Sequence, residues 1–91
     1  MMDKSYLNHL TEDRRLLVLR ILLGSPSYQA NTSVLHTLLN KYGHALARDE
    51  VRTLVAWLHE QGLIEAEPIA GVEGLMVARL TERGGDIAEG R

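Results

Sequence analysis

The sequence predicts an α+β fold, three helices packed on a small antiparallel sheet with a short fourth helix at the C-terminus. Two observations carry this. Stretches with apolar residues at helical spacing run into Gly24, Gly43 and Gly62. After Gly62 the apolar period drops to two, in LIEAE and again in LMVARL, with the turn formers of PIAGVEG between them.

The first helix is expected over residues 11–23. Thr11 is suited to cap it, Glu12 and Asp13 complement the dipole of its first turn, and Gly24 and Pro26 stop it. SYQA, residues 27–30, follows as a short strand. Asn31 or Thr32 opens a second helix that ends near Tyr42, with Val34, Leu35, Leu38 and Leu39 on one side. The third helix covers residues 48–61 and buries Val51, Leu54, Val55 and Leu58. Residues 63–67 and 75–80 make a β-hairpin, and Thr81 can cap a last helix that Gly84 and Gly85 each weaken by about 1 kcal/mol. GHALA, between the second and third helices, is short enough for a helix-turn-helix. With a hairpin behind it, the order is that of a winged helix-turn-helix, one domain over residues 1–91.

Composition bounds the rest. A chain of 91 residues makes one domain and buries only roughly 60–65% of its unfolded surface, so a partner subunit would add stability. The sequence has no Phe, which leaves Leu, Ile and Val to fill the core. It has no Cys, which excludes disulfides, thiolate metal sites and thiol redox sensing. Ten Lys and Arg face twelve acids, a net charge of −2, and a dedicated nucleic-acid binder is usually basic over at least one face. No run approaches the ~18 apolar residues of a membrane span, and MMDKSYLNHL lacks the apolar stretch of a signal peptide. A cytoplasmic protein is expected.

The third helix holds the candidate site. On a wheel of ~100° per residue its apolar stripe centres near Val51 and Leu58. The opposite side carries Asp49, Arg52, Thr53, Ala56 and Glu60, with Arg48 on one flank. In a winged helix the N-terminal half of this side enters the major groove of duplex DNA. Arg52 would then pair with guanine O6 and N7, Thr53 with a thymine methyl or a phosphate, and Asp49 with cytosine N4, while Arg48 would hold a phosphate. Arg79 and Arg83 are further candidates for phosphate contact. Equally, Arg48, Asp49 and Arg52 are helix-surface neighbours of the kind that contribute only ~0.2–0.5 kcal/mol on any solvated face. The turn PIAGVEG contains no cation and one acid, Glu73, so it brings nothing positive to a minor groove.

Three segments carry a family resemblance: DRRLLVLRILL at residues 13–23, GHALARDEVRTLVAWLHEQGLI at residues 43–64, and VARLTERGGDIAEG at residues 77–90. Through them the chain resembles small winged-helix proteins of Mu-like phages and prophages, of ArsR type. The resemblance implies the winged-helix fold and a DNA-binding role in transcription regulation. Ala47 departs from the pattern, standing where such proteins commonly carry Ser or Thr as the N-cap of the recognition helix.

RRLLVLRILL is apolar around nearly its whole circumference, and such a helix needs cover on more than one side. A homodimer is therefore expected, with Leu7, Leu10, Leu16, Leu19, Leu23 and Ile87 at its interface. The alternative is that the N-terminal arm and the tail cover the helix within one chain. Trp57, at the stripe's edge, is expected to pack in the core or against the hairpin, and Tyr28 and Tyr42 to pack beside the second helix.

His9, His36, His44 and His59 have no metal-binding spacing, and no nucleophile elbow, phosphate loop or dinucleotide motif occurs. Asp49 and Glu50 point in different directions on a helix, so they form no acid–base pair. No metal, cofactor or enzymatic activity is expected. Two functions remain: a dimeric regulator on duplex DNA, or the same fold used to contact another phage-encoded protein.

Overall fold

A computed structural model describes residues 4–91. Four helices and one antiparallel sheet follow in the order α1 (Lys4–Leu23), β1 (Gln29–Asn31), α2 (Thr32–Lys41), α3 (Arg48–Glu60), β2 (Ile64–Pro68), β3 (Met76–Leu80) and α4 (Glu82–Ala88). The architecture is α+β. β3 is the central strand of the sheet order β1-β3-β2, which aligns Ala30, Ala78 and Ala66 across it.

The first helix is longer than the sequence suggested. It is helical from the first described residue, Lys4, so Thr11, Glu12 and Asp13 lie inside it rather than at its N-terminus. Thr11 does not cap. Its hydroxyl donates back to the Leu7 carbonyl at 3.0 Å, satisfying itself within the helix. A Thr followed by two acids imitates a helix start, and nothing in KSYLNHL opposes helix, so the cap signal misled. The strand expected over residues 27–30 is also shifted. Ser27 and Tyr28 sit at φ 56° and 58°, reversing the chain after Pro26, and β1 begins only at Gln29.

The remaining elements are held by local chemistry. Asn31 caps α2, its Oδ1 accepting from the Val34 N–H at 2.9 Å. Ala47, at the N-cap of α3, offers no side-chain acceptor, yet Glu50 reaches back to accept the Ala47 N–H at 3.0 Å, half of a capping box. Gly62, at φ 72°, lets the chain turn so that the Leu63 N–H bonds the Leu58 carbonyl and β2 starts at once. Thr81 caps α4 through a bond from the Gly84 N–H at 3.1 Å, and its own hydroxyl donates to the Gly62 carbonyl at 2.8 Å.

A single core joins these layers. Val18, Leu19 and Leu22 of α1 meet Leu35 and Leu39 of α2, Val51, Val55 and Leu58 of α3, and Ile64 and Ala78 of the sheet. The Thr32 hydroxyl accepts the Met76 N–H at 3.2 Å and ties the start of α2 to β3. His44, buried in the loop between α2 and α3, lies between Arg14, whose Nε donates to Nδ1 at 3.2 Å, and Asp13, 3.3 Å from Nε2. That contact fixes the loop against α1. Among the described residues no helix is long and apolar enough to cross a membrane.

Candidate nucleic-acid interface

The apolar stripe of α3 faces the core, so its other side is held outward. Arg48, Asp49, Arg52, Thr53 and Ala56 are all exposed. Asp49 organises this surface. Its carboxylate pairs with the Arg52 guanidinium one turn on, and its backbone carbonyl accepts the Thr53 hydroxyl at 3.0 Å. Thr53 therefore keeps only acceptor capacity toward a ligand in this rotamer. The Arg52–Asp49 pair is exposed and contributes only ~0.2–0.5 kcal/mol, so another anion can displace it.

Arg48 and Arg52 also line a cleft of about 320 Å³ between α3, the start of α2 and the β2–β3 loop. Ser33 and His36 face it from α2, and Glu73 and Gly74 from the loop. Arg52 Nη1 comes within 3.3 Å of the position a Cβ would take on Gly74. The loop and the N-terminal half of α3 thus form one surface. Arg48 makes no ion pair or side-chain hydrogen bond among the described residues.

The other two arginines lie apart from this cleft. Arg79 sits in the middle of β3, where its side chain pairs across the sheet with Glu65. It lines a separate shallow cleft with Gln29, Glu65, Glu67 and Val77. Arg83 is exposed on α4, with its guanidinium beside the Gly62 turn. The residues expected at a dimer contact also divide. Leu7 and Ile87 are exposed, and Leu10, Leu16 and Leu23 are half-buried. Leu19 is only 2% exposed and belongs to the core of its own chain, because it follows Val18 on the inner side of α1. It offers no surface to a partner.

Sequence reasoning did not single out Ser33 and His36 as neighbours of the arginines. Their i, i+3 spacing puts them on one side of α2, but only the packing of α2 on α3 brings that side to Arg48. His36 Nε2 lies 2.8 Å from the Leu46 carbonyl, which fixes the ring there. Trp57 is half-buried against the core, and its exposed ring face is covered by Arg15 of α1, with Cζ 3.6 Å from the ring centre. It does not touch the hairpin loop's cleft. Tyr28 and Tyr42 are more exposed than packing residues would be, at 57% and 59%.

The chain has relatives among known proteins. The chain is 48% identical over 82 residues to the uncharacterized gp26 of Escherichia phage Mu, covering 90% of this chain and 81% of gp26. The chain belongs to the family of phage Mu gp26. An uncharacterized protein of Haemophilus influenzae is 44% identical over 79 residues, covering 87% of this chain and 74% of its own length. No family model matches the chain, and no solved structure matches it. The gp26 relationship extends over the expected Mu-like resemblance, with the exposed side of α3 inside the region it spans.

Proposed function

We propose that this member of the gp26 family is a winged-helix transcription regulator of phage or prophage origin that binds duplex DNA as a homodimer. One observation carries the reading: Arg48 and Arg52 stand exposed on the N-terminal half of α3 and share a cleft with the loop of the following hairpin. A helix so presented, with a hairpin beside it, has the parts of a major-groove reader and its wing. Arg52 pairs with guanine, Arg48 with phosphate, and Thr53 and Asp49 with neighbouring base edges. Leu7, Leu10, Leu16, Leu23 and Ile87 supply the accessible apolar surface through which a second copy packs.

Fluorescence anisotropy with labelled duplex DNA at low salt tests this. Binding is expected to weaken by ~1–3 kcal/mol in Arg52→Ala and to change its sequence preference, and to weaken across all sequences in Arg48→Ala. Absence of binding, or binding indifferent to both substitutions, removes the proposal.

A second reading has its own support. Asp49 pairs with Arg52, Glu73 lies in the same cleft, and the hairpin loop has no cation. On this reading α3 and the loop contact another phage-encoded protein. Co-purification with one such product, alongside silence toward DNA, selects it.

A further inference from the structure

On the side of α3 away from the Arg48–Arg52 cleft, a second cleft of about 250 Å³ opens between α3 and α1. Its apolar walls are Leu46, Leu54 and Trp57. Two arginines of α1, Arg14 and Arg15, enter it side by side. Neither makes an ion pair among the described residues, although acids outnumber bases in the chain. Arg15 is half-buried, its Cζ sits 3.6 Å from the centre of the Trp57 ring, and its Nε is a buried donor with no acceptor. Arg14 has one partner, a ring nitrogen of His44.

We infer that this cleft binds a small apolar carboxylate. A buried Nε–H without an acceptor is an incomplete arrangement, since buried donors are almost always satisfied. The Trp57 ring holds the Arg15 guanidinium at the cleft, and a planar carboxylate matches such a fork with two parallel hydrogen bonds. The apolar body of the ligand covers Leu46 and Leu54.

Glu50 is the acid in this cleft, and it is already engaged: its Oε1 accepts the Ala47 N–H at 3.0 Å. Thr11 and Thr53 also face the cleft, and both hydroxyls donate to backbone carbonyls of their own helices. The cleft therefore keeps a surplus of positive charge with no internal anion bound to it. Because Arg14 holds the loop before α3 through His44, occupancy would be felt at α3. That coupling to DNA rests on the proposed function; the binding itself does not.

The test is a titration of the ¹⁵N-labelled full chain, at constant ionic strength, with benzoate and with its neutral isostere benzamide. Benzoate is expected to shift the Trp57 indole N–H and the Arg15 Nε–H saturably, with an affinity at least ~10-fold above that of benzamide. Arg15→Met is expected to abolish these shifts, and Arg52→Ala to leave them unchanged while changing DNA binding. Equal shifts with the amide, retention in Arg15→Met, or shifts confined to the Arg48–Arg52 cleft would overturn the inference. Should Arg15→Met lose its native peak dispersion, Arg15→Lys decides, because it keeps the charge and loses the fork, and an unchanged benzoate affinity in that variant also overturns it.

Discussion

The two adjacent glycines of α4 should respond to the same substitution with opposite signs. By composition each weakens the helix by about 1 kcal/mol relative to alanine. Packing separates them. A Cβ on Gly84 would lie 2.0 Å from the Leu63 carbonyl oxygen and 2.9 Å from Leu80 Cδ1, whereas one on Gly85 meets Leu80 Cδ2 at an ordinary 3.7 Å. The obstacle at Gly84 is backbone, so no rotamer change relieves it. α4 would have to retreat by on the order of 1 Å, which costs roughly 1–3 kcal/mol in overpacking or lost contact. The Thr81 N–H bond to that same Leu63 carbonyl, at 3.2 Å, would stretch and lose about 1 kcal/mol more. After the helix-propensity gain, Gly84→Ala is expected to lose roughly 2 kcal/mol and about 8–16 °C in Tm. Gly85→Ala is expected to gain up to ~1 kcal/mol. Urea and thermal unfolding followed by circular dichroism measure both. A Gly84→Ala protein within ~0.5 kcal/mol of the parent, or a common sign for the two substitutions, would refute the close approach of α4 to the start of β2.

The other outcomes follow from single contacts. Asn31→Ala removes the acceptor for the Val34 N–H and should cost ~1 kcal/mol in urea unfolding. Ala47→Ser should stabilise by ~0.5–1 kcal/mol in the same assay, because Glu50 already forms the other half of the capping box. Asp49→Ala frees Arg52 and removes a negative charge from the candidate interface, so affinity for arbitrary duplex sequence should rise several-fold by anisotropy, while the preference at the base that Asp49 reads is lost. The same change should cost stability by ~0.3–1 kcal/mol through the dipole of α3. A rise in affinity separates the DNA reading from the protein-contact reading, under which DNA stays unbound.

Most of the architecture was legible because apolar spacing and glycine placement report locally. The stripes of α2 and α3, the Asn31 and Thr81 caps and the hairpin all depend on residues within a turn or two of each other, although Val34, expected on the inner side of α2, is exposed. What was not legible depends on distant packing or on misleading caps. Thr11 satisfies its hydroxyl inside α1, so a true mid-helix residue resembled a start. Gly84 reads as a defect until α4 is set against Leu63. At the candidate site, the sequence indicated which α3 residues face outward, because helical period alone decides that. It did not indicate that Arg79 is engaged by Glu65 across the sheet, which follows from the β2–β3 register. Nor did it indicate that Arg15 lies on Trp57, which joins two helices far apart in sequence.

Charge placement sets what a DNA complex of this chain would require. Arg79 is paired and Arg83 lies on α4, so neither adds to the cleft that Arg48 and Arg52 share. Two cations per chain that displace counterions, Arg48 at a phosphate and Arg52 in the groove, give a slope of log affinity against log salt of at most about −2 for one chain and about −4 for a pair. A fourfold rise in salt then weakens one chain by roughly tenfold and a pair by more than roughly a hundredfold. Contacts so few hold a single chain in the weak, non-specific range, and Asp49 and Glu73 lower that further. Affinity useful for regulation must come from a second copy that adds its own two cations at fixed spacing, not from a denser basic face. The accessible leucines of α1, with Ile87 of α4, are the part of the surface on which such pairing depends. Leu7 lies in the first turns of α1, the stretch that the longer helix adds ahead of Thr11. The unexpected length of that helix and the thin positive charge of α3 therefore point to one requirement. On the proposed DNA reading the binding form is a pair, and a substitution that separates the pair should abolish DNA binding even with Arg48 and Arg52 intact.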